Sequence, residues 1–209
     1  MAAPRKRFAL YTYGMPSTAA LPPSAELDTR SRILLAGLRL FRKHGYHGVG
    51  INEILDLAQA PKGSMYHHFP GGKEAIAVAV IEKLTQDILA MFAASRARST
   101  AAMIAQVGAQ LTVVMRKTNH EVCALFSGFV SERKGSPLLG QAVGQAYEGM
   151  IEQLSARLQA EGLSKRHARE RAITVIALLE GGALLAQAQQ STAPFELAVR
   201  QAVVICDNN

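Results

Sequence analysis

The 209-residue chain has no tryptophan, only 6% aromatic residues and eight prolines. An all-β sandwich or barrel draws on aromatic side chains and frequent turn signals, so this composition argues against one. The apolar content comes mostly from Ala, Leu, Ile and Val, which leans towards helix. The two cysteines, Cys123 and Cys206, are too few for a disulfide scaffold and too far apart for a CxxC site. A reduced, cytoplasmic setting is the expectation. Long clean apolar runs are also lacking. Arg5-Lys6-Arg7 followed by Phe8-Ala9-Leu10-Tyr11 opens like a signal peptide, yet the run stops at Thr12, short of the roughly 7–15 residues an h-region needs. The longest apolar stretch, residues 173–188, is interrupted by Thr174, Glu180 and Gln187 and falls short of the ~18 clean residues of a spanning helix. A soluble protein without a membrane partner is expected.

With 49% hydrophobic and 19% charged residues, general disorder is excluded and a sizeable core is within reach. The net charge is +7 and is unevenly placed. Residues 1–75 hold 10 Lys/Arg against 5 Asp/Glu, and the remainder 13 against 11, while four of the six histidines lie in the first stretch. Basicity gathered at one end suggests an anionic partner there, nucleic acid ahead of a membrane surface.

Residues 1–25 contain Pro4, Pro16, Pro22 and Pro23 without a sustained period and read as a flexible arm. From Asp28 the pattern turns helical. Leu34, Leu38 and Phe41 recur at i, i+4, i+7, Arg42 and Lys43 suit the negative end of the helix dipole, and Gly45 ends the helix. A second short helix groups Ile51, Ile54, Leu55 and Ala58 on one face. After Gln59-Ala60-Pro61 comes a third, two turns long, from Lys62 to Phe69, closed by Pro70-Gly71-Gly72. Two short helices joined by a tight turn form the helix-turn-helix pattern. Gly63 and Ser64 are small enough to bring the third helix close to a DNA backbone, Ser64, Tyr66 and His67 project from its exposed face, and Met65 with Phe69 anchors the other face.

The stretch from Phe41 to Glu74 resembles the DNA-binding domain of TetR-family repressors, through Gly45-Tyr46, Ile54-Leu55-Asp56-Leu57-Ala58, Lys62-Gly63-Ser64-Met65-Tyr66-His67-His68-Phe69 and Lys73-Glu74. Around Pro61 to Glu74 it looks most like the LmrA/YxaF-like branch. The resemblance implies that the third helix enters the major groove, with Lys62, Gly63, Ser64, Tyr66 and His67 facing DNA. It further implies that His68 and Lys73 grip phosphate. One departure is Gly50, where many relatives have a Ser or Thr whose hydroxyl touches phosphate; Gly caps a helix but has no hydroxyl to offer.

The expected architecture is therefore all-α. It comprises the arm (1–25), a three-helix helix-turn-helix DNA-binding domain (26–73) and a larger ligand-binding and dimerisation domain (74–209). In the second half, helices are expected over about 100–117, 121–133, 137–161, 164–189 and from Pro194 onward. The resemblance implies that the last two helices form a four-helix homodimer interface, with Gly181, Gly182, Ala183 and Ala186 permitting close approach. It also implies that the middle helices enclose a small-molecule effector, with Met103, Val107, Leu111, Met115, Cys123, Phe126 and Phe129 as candidate walls. Glu180, alone among apolar residues, is a candidate to pair across the dimer, to hydrogen-bond the effector or to carry a raised pKa. A ligand-responsive, non-enzymatic regulator without cofactor, most simply a repressor on a palindromic operator, is the leading reading. Its rivals are a sequence-indifferent DNA binder, and a metal or redox sensor or helical enzyme centred on His120 and Cys123.

Overall fold

The computed structural model describes residues 27–118 and 125–207. The arm (1–25), His120 and Cys123 lie outside the described residues. Nine α-helices are described: α1 (Thr29–His44), α2 (Ile51–Ala58), α3 (Lys62–His68), α4 (Gly72–Ala94), α5 (Thr100–Lys117), α6 (Leu125–Val130), α7 (Pro137–Ala160), α8 (Lys165–Gln189) and α9 (Ala193–Asp207). No strand occurs among the described residues. The expected helix over 121–133 is, where described, only the short α6 followed by a 3-10 turn, Ser131–Lys134, that stops at Gly135.

The caps follow the sequence. Asp28 accepts a hydrogen bond from the Ser31 amide at 2.7 Å and opens α1, and that contact holds its carboxyl below the usual range. Gly45 closes α1 through its N–H to the Phe41 carbonyl. Ser99 and Ser164 cap α5 and α8 in the same manner as Asp28. At α5 the capping is reinforced, because Glu161 accepts from both the amide and the hydroxyl of Thr100 at 2.6 Å.

The chain divides into two compact units. The first contains residues 27–84 together with Leu125–Val143, and the second residues 85–118 and 144–207. This differs from a single break at residue 73. The first part of α4 belongs with the helix-turn-helix because Ile76 and Val80 pack where α1 is thinned by Gly37. Leu125–Val143 joins the same unit because Phe129 is buried edge-on against Phe41, with centroids 5.7 Å apart, and lies 6.1 Å from Tyr46. Glu132 pairs with His47, and the Ser136 hydroxyl hydrogen-bonds the Glu74 carboxylate.

In the second unit α5, α8 and α9 pack closely around a core of Phe92, Met103, Ile104, Val107, Leu154, Leu158, Ala172 and Val175. A smaller cluster of Met115, Ala183, Ala186 and Phe195 lies beside it. Here an expectation is corrected: Gly182, Ala183 and Ala186 are buried inside the chain by α9, not free to meet a second copy. A Cβ on Gly182 would come within 2.5 Å of the Ala198 methyl and 3.2 Å of the Phe195 backbone. On α8 and α9 the large apolar side chains left exposed are instead Ile173, Leu184 and Leu185, and Leu197 and Val204, each 43–54% exposed. By length and composition alone, α8 would also suffice to cross a membrane, although one third of its most apolar stretch is buried within the chain.

Gly182→Ala forces either backbone or a short rigid methyl to move, so it is expected to destabilise the chain by about 1–3 kcal/mol. Urea unfolding at neutral pH checks this through a lower midpoint at unchanged slope.

Candidate nucleic-acid interface

Helix α3 has only seven residues, too few to persist without tertiary support. Its orientation comes from Met65, fully buried, and Phe69, whose ring lies 5.3 Å beneath the Arg30 guanidinium. The turn before it is fixed as well: Gln59 takes a left-handed conformation at the end of α2, and its carbonyl accepts from the Arg32 side chain at 3.3 Å. These supports leave Lys62, Gly63, Tyr66 and His67 exposed, with Tyr66 at 47%. Ser64 and His68 are half-buried. The His68 ring stands edge-on to His67 at 5.2 Å.

Lys73 has structural work. Its ammonium donates to the carbonyls of Tyr46 (3.2 Å) and Val49 (3.0 Å) and stands 4.4 Å over the Tyr46 ring. It therefore ties the start of α4 to the loop between α1 and α2, carbonyls that no helix satisfies. No local pattern signals this, because a lysine opening a helix reads as a free cation.

Of the candidate effector residues, those on α5 are drawn into the core of the second unit. Met103 and Val107 are closed into the main core of the second unit and Met115 into the smaller cluster, with Leu111 packed against both. Phe126 and Phe129 are buried in the first unit. Glu180 has a partner the sequence did not indicate: the Tyr147 hydroxyl donates to its Oε2 at 3.1 Å. Burial pushes the Glu180 carboxyl up to about 7 despite that hydrogen bond, and holds the Tyr147 phenol well above its ordinary range. Tyr147 stands among Gly, Gln and Ala on α7 with no periodic signal linking it to residue 180.

Comparison with known proteins agrees with this arrangement of a helix-turn-helix followed by a helical second unit. The family described as transcriptional regulator LmrA/YxaF-like, C-terminal domain, matches residues 97–201, and that of bacterial regulatory proteins, tetR family, matches residues 33–80. The HTH-type transcriptional regulator LmrA of Bacillus subtilis (strain 168) is 31% identical over 176 residues, spanning 80% of this chain and 90% of LmrA. The chain belongs to the TetR family. YxaF of the same organism is 25% identical over 181 residues, 85% of this chain and 95% of its own. Among solved structures, a TetR transcriptional regulator from Legionella pneumophila superposes with a TM-score of 0.75 at 24% identity, over 87% of this chain and 98% of its own. The reduced form of Escherichia coli NemR gives 0.71 at 25% identity, over 88% of this chain and all of NemR. This TetR-family regulator is thus an all-helical, DNA-binding protein of transcription regulation.

Two outcomes follow for the regulator. Lys73→Met leaves two loop carbonyls short of their donor and is expected to cost about 1–3 kcal/mol of stability. Unchanged unfolding with weakened DNA binding would instead assign Lys73 to phosphate alone. For Glu180, the folded pKa is raised from 4.5 to about 7, so its contribution is fully present below about 4.5, falls as pH rises to about 7, and is flat above. Glu180→Gln mimics the protonated form, and its stability relative to the parent is expected to grow across that window to about 3 kcal/mol at most. Paired urea titrations at pH 4.5 and 8 measure the difference.

Proposed function

We propose that the chain is a ligand-responsive repressor that binds a palindromic operator as a homodimer and is released by a small apolar or aromatic effector. The observation that carries this is the division of α3: Met65 is locked into the core, while Tyr66 and His67 stand in solvent beside Lys62 and Gly63. An aromatic hydroxyl and an imidazole on a rigid short helix suit base edges in a major groove, and Lys62, Ser64 and His68 lie where they support that contact. Lys73 contributes chiefly by holding the loop before α2.

One short helix reads few base pairs, so a second copy is needed for selectivity. The face formed by Ile173, Leu184, Leu185, Leu197 and Val204 supplies a surface for it, and burial between copies accounts for such an apolar stripe on α8 without a bilayer. For the effector, the Tyr147–Glu180 pair offers a part-buried acceptor in the same unit whose core holds Met103, Val107, Leu111 and Met115. Release then requires only that the effector bind one of two conformations more tightly.

Fluorescence anisotropy on the DNA upstream of the chain's own gene, against a scrambled duplex, tests the reading. Tyr66→Ala is expected to weaken selective binding by about 1–3 kcal/mol, roughly 5- to 150-fold, with little change in the salt dependence. Equal affinity for both duplexes by the unmodified protein would favour sequence-indifferent binding.

A further inference from the structure

Helices α5 and α9 run side by side and leave a surface cleft of about 730 Å³ between them. The residues that line it, Ala105, Gly108, Ala109, Thr112, Val113 and Arg116 on α5, lie on a different face from the buried Met103, Val107 and Met115. From α9 come Glu196, Val199, Arg200 and Val203, together with Val204, which the cleft shares with the face proposed above for a second copy. The cleft exists because the helices nearly touch at its floor, where a Cβ on Gly108 would meet the Val199 methyls at 2.6 Å. Thr112 turns its hydroxyl back to the Gly108 carbonyl at 2.9 Å, so the floor offers an approaching molecule almost only methyl groups.

The polar groups are gathered at one end and along one rim. Arg116 and Glu196 close that end as an ion pair, 2.7 Å apart, and Thr192 supplies a further hydrogen bond to the same Glu196 oxygen. Arg200 lies one turn further along α9, is exposed, and donates no hydrogen bond among the described residues. Glu196 feels the charge of both Arg116 and Arg200, so the three together leave one net positive charge beside an apolar trough. From residue 105 to residue 116 the trough follows about 16 Å of helix, a length suited to an extended aliphatic chain rather than a compact ring system.

The geometry points to this cleft as a binding site for a free aliphatic monocarboxylate, with its chain along Val113, Val199 and Val203 and its carboxylate on Arg200. Charge complementarity selects the occupant: a hydrocarbon alone leaves Arg200 unused, and a second copy of the chain has to bring a carboxylate to the same point. The site is separate from the Tyr147–Glu180 pair and does not depend on what the effector is.

Isothermal titration calorimetry of the full-length protein with octanoate and with octan-1-ol tests it. Octanoate is expected to bind once per chain, about three- to fivefold more tightly than the alcohol, the size of one partly exposed charge contact. Arg200→Gln is expected to erase that preference and leave alcohol binding unchanged. Ala109→Trp, at an exposed position, is expected to fill the trough and remove both, with circular dichroism confirming an unaltered fold. Absence of binding, equal affinity for the two probes, or indifference to either substitution would overturn the assignment. So would a change of oligomeric state on sedimentation of Ala109→Trp without carboxylate binding, which would mark the cleft as part of a self-interface. If Ala109→Trp misfolds, Val113→Glu keeps the test open, since a carboxylate there must repel octanoate and spare the fold.

Discussion

A helix of seven residues cannot hold its own direction in water, and the exposed face of α3 depends on the burial that directs it. Met65 and Phe69 lie four residues apart and so fall on one face of α3. Once that face is committed to the core, Tyr66 and His67 have nowhere to point but outward. Helix α1 supplies much of the surrounding support. Its Arg30 covers Phe69, and its Arg32 holds the turn at Gln59. A long helix with a strong cap thereby lends stability to a short one with none.

The same economy governs the cations. Basic residues concentrated in the first seventy-five positions look interchangeable as charge, yet they divide by what surrounds them. Lys62 is exposed on α3, whereas Lys73 is bound to two backbone carbonyls and an aromatic ring. A charge that satisfies buried carbonyls is strongly localised, because leaving those acceptors unpaired costs more than the lysine gains in bulk water. The aromatic wedge of Phe129 against Phe41 and Tyr46 steadies the same loop from another direction, so a segment distant in sequence becomes part of the DNA-binding unit.

In the second unit small residues serve a different end from the one their spacing suggests. Gly182 and Gly108 bring α9 into close contact with α8 and α5 within one chain. That internal closure is what leaves large side chains such as Leu185 and Val204 outside. It also leaves the Tyr147–Glu180 pair half-enclosed, where a carboxyl loses more hydration than one phenolic hydrogen bond returns.

Much of this was already legible in the linear chain. The helix starts at Asp28 and Ser164, the stop at Gly45 and the Met65/Phe69 anchor depend on neighbours within a few residues, and local sequence encodes local geometry directly. So does the Lys62–Phe69 pattern that marks the family. What no local pattern carried was the pairing of residues far apart: Phe129 with Phe41, Lys73 with the Tyr46 and Val49 carbonyls, Tyr147 with Glu180, Gly182 with Ala198. Periodicity shows which side of a helix is apolar but not which partner covers it. The sequence by itself determined most of the helices, though not the end of α6 at Val130, and the outward face of α3; only tertiary packing decided which apolar residues closed into core, which cation became a brace, and which face was left for another molecule.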